Sequence, residues 1–462
     1  MALKSHVVII VPDGVGIKNY LYSNLLSYLD KTSIITIWSP LDEGTFEEVK
    51  KCHPNIALQY RNLKLFKEPI KTRLYREAAT YARLHFFTKK TKNKTLLLNW
   101  RKPKTNFKLR VLYAISEFIG NKAKSDYQRI KSLEKRSKLN WTTSIIDYYK
   151  SELSELKADH LFITHQRVAG LMPICIASNS MGVKSTTAIF SWDNLPKARL
   201  CVETDFYALW SDWMKKDMNL FYPEILDSQL KIVGTPQFEF YKNQKQIKTR
   251  EEFAQSHGLD SNKLWICFSG DDELTSPYDP KYLQDIAETI SRHFDNIQLI
   301  FRRCPVDFSD RYDKVLQDYR AVIVPIDPVW DVASKSWVGY FSKIEDISLQ
   351  VNLAYHCLGV INLGSTMALD FASLDKPCFY INYDSVIDPS WSTNLIYKYH
   401  HFGTLDNLNP VGWINSKEEI KKALERLLNG IDDMSVDTKK WMERIVLFPI
   451  ESNSEKLSKI LT

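Results

Sequence analysis

Two glycine-containing turns carry residue types suited to holding a phosphorylated ligand. The stronger runs from Gly364 to Asp370 (GSTMALD), directly after the apolar strand pattern VINL. A glycine followed by two hydroxyls, where a strand turns into a helix, offers N–H and O–H donors to phosphate oxygens. Asp370 comes one helical turn after Thr366, so its carboxylate can accept bonds from ribose hydroxyls. We expect Gly364, Ser365, Thr366 and Asp370 to bind a nucleotide, the alternative being a serine cap on a core helix.

Further donors follow two other strand patterns in the same half of the chain. Arg302 and Arg303 come at the end of IQLIF, where a guanidinium can clamp a diphosphate. The alternative for this pair is a surface salt bridge. Ser269 and Gly270 follow LWICF and offer further donors to phosphates. The acidic run DDE at 271–273 is expected to be a solvated loop.

The second glycine-containing turn, Asp13-Gly14-Val15-Gly16, follows the apolar run HVVIIV near the start of the chain. A carboxylate at a strand tip can serve as a general base, and Asp13 is the first candidate. Gly14, Gly16 and Asn19 are predicted to contact an acceptor. An ordinary tight turn with a capping aspartate is the alternative.

Two other strand ends in the N-terminal half supply alternative bases. His165 follows the strand pattern ADHLFIT, and an imidazole is chemically suited to proton transfer near neutral pH. Asp193 and Asn194 follow the strand pattern STTAIF, where Asp193 is a third candidate base and Asn194 a candidate for a sugar hydroxyl. A structural Asx turn explains Asp193-Asn194 equally well.

The elements that must position these residues alternate between strand and helix patterns. They predict an α/β fold with two Rossmann-like, doubly wound domains that face a central cleft. We expect an N-terminal acceptor-binding domain at 1–238 and a C-terminal nucleotide-sugar-binding domain at 249–432. A helix within 433–462 is predicted to pack back on the N-terminal domain.

Charge is distributed very unevenly along the 462 residues, whose formal net charge is only +7. The segment 61–140 holds 23 Lys and Arg but five Asp and Glu, interleaved with apolar residues at helical spacing. It predicts a basic helical insertion whose partner is polyanionic. An anionic membrane surface is favoured over a solvated face, and over nucleic acid because no nucleic-acid-binding motif is present.

Cysteine usage and apolar runs bound the location and the cofactors. The seven cysteines show no C-x-x-C spacing, which fits a reducing compartment and indicates neither a disulfide framework nor a zinc ribbon. The first apolar run is too short for a signal peptide, so we expect a cytoplasmic protein, peripheral on the inner face of the membrane. Metal ligands at suitable spacing are lacking, and no cofactor is predicted beyond a co-substrate.

Three stretches resemble a known family. GSTMALDFASLDKPCFYI resembles the donor-nucleotide motif of GT-B-fold glycosyltransferases, in which Gly-x-Ser-Thr and a following acidic residue hold the diphosphate and ribose. SWDNLPKARL at 191–200 and VGTPQFEFY at 233–241 are similar to paired motifs in bacterial enzymes that build surface polysaccharides. Asp370 stands where many such enzymes carry glutamate, and Pro196-Lys197 where Thr-Ser is expected. CDP-glycerol glycerophosphotransferases share the layout.

The resemblance implies a metal-independent glycosyltransferase. It would move a sugar from a nucleotide-diphosphate donor to an acceptor hydroxyl of a lipid-linked or surface glycan. Two alternatives stay open: a CDP-polyol phosphotransferase, and a non-catalytic protein that binds a nucleotide sugar or a membrane.

Overall fold

The N-terminal half is built on a seven-stranded parallel sheet. The computed structural model describes residues 4–103, 105–332, 339–431 and 433–462. The strands are β1 (Ser5–Ile10), β2 (Ser33–Ser39), β3 (Leu58–Asn62), β4 (His160–Ile163), β5 (Lys184–Ala188), β6 (Phe206–Leu209) and β7 (Leu230–Ile232). Their order is β3-β2-β1-β4-β5-β6-β7. The apolar residues of β1 are fully buried because this central strand is covered on both faces.

A second parallel sheet forms the C-terminal half. The remaining strands are β8 (Leu264–Ser269), β9 (Ile297–Arg302), β10 (Ile323–Pro325), β11 (Trp330–Val332), β12 (Tyr340–Ser342), β13 (Val360–Asn362), β14 (Cys378–Ile381) and β15 (Gly412–Ile414). Six of them form the sheet, in the order β10-β9-β8-β13-β14-β15, while β11 and β12 form an antiparallel hairpin. The predicted fold class, two doubly wound α/β domains, is confirmed.

Helices flank both sheets. In the N-terminal half they are α1 (Gly14–Gly16), α2 (Leu25–Leu29), α3 (Glu47–Cys52), α4 (Ile70–Thr91), α5 (Phe107–Ala123), α6 (Tyr127–Leu139), α7 (Thr143–Leu156), α8 (Met172–Met181) and α9 (Asp212–Phe221). In the C-terminal half they are α10 (Arg250–His257), α11 (Asp279–His293), α12 (Asp313–Asp318), α13 (Ile344–His356), α14 (Met367–Ala372), α15 (Thr393–Ile396), α16 (Glu419–Leu428), α17 (Ser435–Ile445) and α18 (Asn453–Leu461). Within the described ranges, no helix has both the length and the apolar character needed to cross a bilayer.

The basic segment forms a helical layer between β3 and β4. It contains α4, α5 and α6 and a 3-10 turn at Lys94–Asn99. Arg83 of α4 is buried, and its guanidinium pairs with Glu134 of α6 at 2.6 Å and with Glu224 at 3.0 Å. Glu224 follows α9 in the chain, so this ion-pair cluster ties the layer to the body of the N-terminal half.

The last helix, α18, lies against the N-terminal half. Ser454 donates its N–H and its hydroxyl to the carboxylate of Glu239, at 2.6 and 2.7 Å. A Cβ added at Gly234 would lie 2.2 Å from the Asn453 side chain, so the chain approaches α18 there without room for another residue type. The polypeptide therefore crosses between the two halves twice, at 234–248 and again at 446–453.

Candidate active site

A cavity of about 480 Å3 lies between the two halves. Ser269 and Arg302 line it from the carboxyl ends of β8 and β9, and Ser191 faces them from the loop after β5. Ligands of doubly wound sheets bind at such strand ends. The region between Thr95 and Arg101, which belongs to the basic helical layer, completes the wall.

The predicted nucleotide turn lines this cavity. Gly364 has φ +70°, and a Cβ there would meet the ring of Phe402 at 2.8 Å, so glycine is required. Asn362 Oδ1 accepts the N–H of Ser365 at 3.0 Å and fixes the turn. That N–H is therefore already bonded, and the hydroxyls of Ser365 and Thr366 are the turn's groups for a ligand.

Arg302 lines the cavity and has one guanidinium nitrogen without a partner. The side chain is buried, and Nη2 donates to Asp346 Oδ1 at 2.5 Å. Nη1 is also buried, and it has no hydrogen-bond partner among the described residues. Burial opposes ionisation of Asp346, yet Arg302 and Lys18 hold the pKa of this carboxyl below its ordinary value. The two charges of the Arg302–Asp346 pair therefore balance each other, and Nη1 is the donor that a bound anion would complete.

Lys18 is the site residue that the sequence analysis missed. It lies on a π-helical turn, Ile17–Leu21, which follows the first glycine turn, and its ammonium reaches the C-terminal half. Nζ donates to Gln350 Oε1 at 2.5 Å. Burial lowers the pKa of Lys18, and the charges of Asp346 and Asp370 partly offset this effect. The sequence signal that could have identified Lys18 is its place in the first helical turn after a glycine turn.

Asp370 lies where the main cavity meets a smaller one of about 200 Å3. Burial raises the pKa of this carboxyl, whereas Lys18 and a hydrogen bond with the Tyr241 hydroxyl act in the opposite direction. Thr366 and Lys18 also line both cavities. The placement leaves Asp370 close to any ligand that extends from the glycine turn.

The acidic run at 271–273 is a loop, as expected, but it borders the cavity, with Asp271 and Asp272 half-buried and Glu273 exposed. Asp271 and Asp272 line the cavity beside Ser269 and Gly270. The backbone N–H of Asp271 donates to Asp279 Oδ2 at 2.6 Å. This bond holds the carboxylate of Asp279 near that of Asp271. Burial, followed by the charges of Asp272 and Asp279, raises the pKa of Asp271 to about 7.

Two of the candidate bases form a single pair. Asp13 Oδ2 contacts His165 Nδ1, although the residues are 152 positions apart in the chain. Asp13 Oδ1 also accepts the N–H of Val15, as the capping alternative predicts. His165 Nε2 is buried and has no partner within the described part of the chain. The ring lies 4.1 Å from that of Phe190, which lines the smaller cavity.

Asp193, the third candidate, is an ion-pair partner. It lines the main cavity, but its carboxylate contacts the Lys197 ammonium and accepts the Ser191 hydroxyl at 2.7 Å. Burial opposes its ionisation, and Lys197, assisted by His401, nevertheless holds its pKa well below the ordinary value. A carboxylate with such a low pKa is a poor general base.

The predicted acceptor contacts divide into lining and packing residues. Asn19 lines the smaller cavity. Asn194 is buried behind the wall, where its Oδ1 accepts from Gln166 Nε2 at 3.1 Å. Added Cβ atoms would lie 2.0 Å from the Tyr340 carbonyl oxygen at Gly14 and 2.4 Å from Thr164 Oγ1 at Gly16. These two glycines therefore serve close packing.

The basic helical layer reaches the cleft itself. Arg101 and Leu98 line the main cavity, and the Asn93 side chain donates to the carbonyl of Lys398 in the C-terminal half at 2.9 Å. Sequence reasoning placed this segment on the acceptor side alone. Among the described residues, no three His, Cys, Asp or Glu side chains are grouped to hold a metal ion.

Comparisons with known proteins find similarity at the level of structure. No protein-family model and no curated protein matches the sequence. The chain is similar to the UDP-GlcNAc 2-epimerase of Methanocaldococcus jannaschii, with a TM-score of 0.53 and 11% identity over 99% of both chains. It is also similar to a glycosyltransferase from Rickettsia africae, with a TM-score of 0.52 and 9% identity over 99% of this chain and 98% of that one. The chain has a GT-B-like fold. This is the fold that the sequence resemblance implied. Identities as low as these establish the fold alone.

Proposed function

We propose that the protein transfers a sugar from a nucleotide-diphosphate donor to an acceptor hydroxyl. The observation that carries the proposal is the presence of two basic side chains, the buried Arg302 and the half-buried Lys18, in the cavity lining with Ser365 and Thr366. A diphosphate is the ligand that such a set of donors matches. The glycosyltransferase and the epimerases of like fold are in keeping with a nucleotide sugar.

The cations have a direct part in this reaction. The acceptor oxygen bonds to the anomeric carbon of the sugar, the bond from that carbon to the diphosphate oxygen breaks, and a nucleoside diphosphate leaves. Arg302 Nη1 and Lys18 stabilise the negative charge that develops on the departing oxygen. In this proposal they supply the positive charge that a metal supplies in other enzymes, so no metal is required.

The Asp13–His165 pair is the proposed base. A carboxylate on Nδ1 keeps the proton on that nitrogen and leaves Nε2 to accept the acceptor's hydroxyl proton. Nε2 is buried, and the neighbouring Phe190 ring lines the smaller cavity, so we propose that this ring moves when an acceptor in that cavity reaches Nε2. Asp13 acts here as a positioning residue. The proposed proton acceptor is therefore His165 within the pair, and not Asp13 as the sequence analysis favoured.

The acceptor is proposed to be a glycan or a lipid-linked glycan at an anionic inner-membrane surface. The charge of the segment 61–140 supports this assignment, and so does the position of its residues Thr95–Arg101 in the cavity wall. The protein would then be cytoplasmic and peripheral on that membrane.

The decisive experiment identifies the nucleotide product. UDP, GDP, CDP and dTDP compounds are screened for thermal stabilisation, and the best binder is incubated with lipid-linked glycan extract. A glycosyltransferase releases the nucleoside diphosphate, a CDP-polyol phosphotransferase releases CMP, and an epimerase converts the sugar without releasing either. Stabilisation by none of these compounds would favour the non-catalytic alternative.

The donor site is tested by Ser365→Ala with Thr366→Ala. Calorimetry should show weaker nucleotide-sugar binding, whereas Ser256→Ala, at an exposed position on α10, should bind as the wild type does. Unchanged binding in the double variant would show that the nucleotide is held elsewhere.

A further inference from the structure

The outer face of α5 is apolar and exposed to solvent. Phe107 is 74% exposed and Phe118 62%, and Val111 and Ile115 are exposed between them. The spacings of four, four and three residues place all of these side chains on one stripe of the helix. Isolated exposed apolar residues are common, but a contiguous row of four large ones marks an interaction surface.

The opposite face fixes this orientation. Leu112, Tyr113 and Gly120 are buried against the rest of the layer. Ser116 donates its hydroxyl to the carbonyl of Leu74 on α4 at 3.2 Å, and a Cβ at Gly120 would lie 2.7 Å from the carbonyl oxygen of Ala78. Because α5 packs so closely on α4, it cannot rotate its apolar stripe inward.

Positive charge borders the stripe. Lys108 and Arg110 are exposed on either side of it in the first turn, and Lys122 lies near its far end, with Nζ 4.2 Å from the centre of the Phe118 ring. The one acidic residue of the helix, Glu117, is turned away and accepts from Trp100 Nε1 at 2.7 Å. The surface is therefore apolar in the middle and cationic at its edges.

The inner face of α5 is linked to the cleft. The half-buried Trp100 ring packs on Tyr113 of α5 at 5.2 Å, and its chain neighbour Arg101 lines the main cavity. The helix that carries the stripe is thus one aromatic contact away from the cavity wall.

We propose that this face of α5 docks on an anionic lipid bilayer, with Phe107 and Phe118 inserted among the acyl chains. Amphipathic helices with cationic edges lie in membrane interfaces in this way. A second copy of the chain is disfavoured as the occupant, because it would bring its own basic residues against Lys108, Arg110 and Lys122. The docking proposal does not depend on the proposed catalytic activity. Only the delivery of a lipid-linked acceptor to the cleft rests on the proposed function.

Flotation with vesicles tests the docking. The full chain should float with vesicles of phosphatidylglycerol and phosphatidylethanolamine and stay behind with phosphatidylcholine. Phe107→Ser with Phe118→Ser should lower the bound fraction at least about tenfold, since each ring loses its transfer into the apolar layer. Lys108→Ser with Arg110→Ser should weaken binding and reduce its dependence on salt. The matched control is Leu226→Ser with Val436→Ser, two side chains 66% exposed elsewhere.

Three results would overturn the proposal. The first is a wild-type chain that does not float with anionic vesicles, and the second is a double phenylalanine variant that floats as well as wild type. The third is a wild-type dimer that sedimentation shows to become a monomer in the phenylalanine variant, which would assign the face to a second copy. Thermal unfolding with and without the best-binding nucleotide sugar is measured on every variant. Intact nucleotide stabilisation with lost flotation separates docking from the donor site.

Discussion

We expect the charged side chains at the cleft to decide which ligand the site binds. Arg302 and Lys18 stand close to Asp346 and Asp370, so each cation is partly balanced before a ligand arrives. Sequence reasoning predicted Arg302 and the glycine turn because both follow apolar strand patterns directly. It missed Lys18 because no strand end marks this residue: it lies on a π-helical turn, from which its ammonium reaches Gln350 of the C-terminal half.

Replacing Lys18 by methionine separates ligand binding from folding. We expect nucleotide-diphosphate affinity to fall about 10- to 100-fold, the range of a charge-assisted hydrogen bond. The free energy of unfolding should fall by less than the free energy of binding, because removing water from the Lys18 ammonium is itself costly. Calorimetry and thermal unfolding measure the two effects, with Lys51→Met, at an exposed position, as the control. A loss of stability without a loss of affinity would contradict the assignment.

We expect Asp271 to make nucleotide binding depend on pH. Its folded-state pKa of about 7 lies above the ordinary value of 3.8, so the carboxyl is neutral below neutral pH and charged above it. Nucleotide affinity should therefore decrease as pH rises through about 7, because a negative charge appears beside the phosphates. Its contribution to stability should be fully present below the ordinary pKa of 3.8 and be lost progressively as pH rises from there to about 7.

Asp271→Asn should flatten both profiles and make the protein more stable than wild type at pH 8. Asp310→Asn, at an exposed position, is the control. Isothermal titration and thermal unfolding between pH 5 and pH 8 measure the effect, and a wild-type profile in the Asp271 variant would exclude Asp271 as its cause.

Strands with continuous apolar runs were predictable as elements, even the three-residue β13, whereas β3 and β15, which lack such a run, were not. β1, β2, β8 and β9 are buried and rich in β-branched or aromatic residues. β3 is an edge strand with polar residues along LQYRN, and β15 has only three residues. The Asp13–His165 pair illustrates the same limit, because each residue marks a strand end but only the strand order β1-β4 makes them neighbours.

One buried guanidinium supports the helical layer. Arg83→Met should destabilise the protein by about 1–3 kcal/mol, since Glu134 and Glu224 lose its hydrogen bonds and keep the Lys131 ammonium, at 2.9 Å from each. Arg129→Met, in the same layer but 68% exposed, should cost less than about 1 kcal/mol. Urea denaturation compares the two, and equal losses would contradict the ion-pair account.

At the scale of the whole molecule, the C-terminal helix α18 returns from the C-terminal half to the N-terminal half. Glu239 is buried and bonded to Ser454 on α18, and burial raises the pKa of this carboxyl. Apolar periodicity predicted a terminal helix within 433–462. Its polar anchor was not predictable, because Glu239 and Ser454 are 215 positions apart.

Ser454→Ala should lower stability by about 1–3 kcal/mol, because Glu239 loses a donor where water does not replace it. Ser458→Ala is the matched control on the same helix, since its hydroxyl bonds only within α18, to the Glu455 carbonyl. Thermal unfolding should show the larger loss for Ser454, and nucleotide binding should be the same in both variants.

Because the polypeptide passes between the halves twice, at 234–248 and at 446–453, the halves are joined by a paired connection and not by a single linker. The two passages contact each other, since Gly234 approaches Asn453 and Glu239 accepts hydrogen bonds from Ser454. Two chains held together resist twisting better than one does. We therefore expect the halves to open and close as a hinge about this connection, so that the same residues of each half face each other after every cycle.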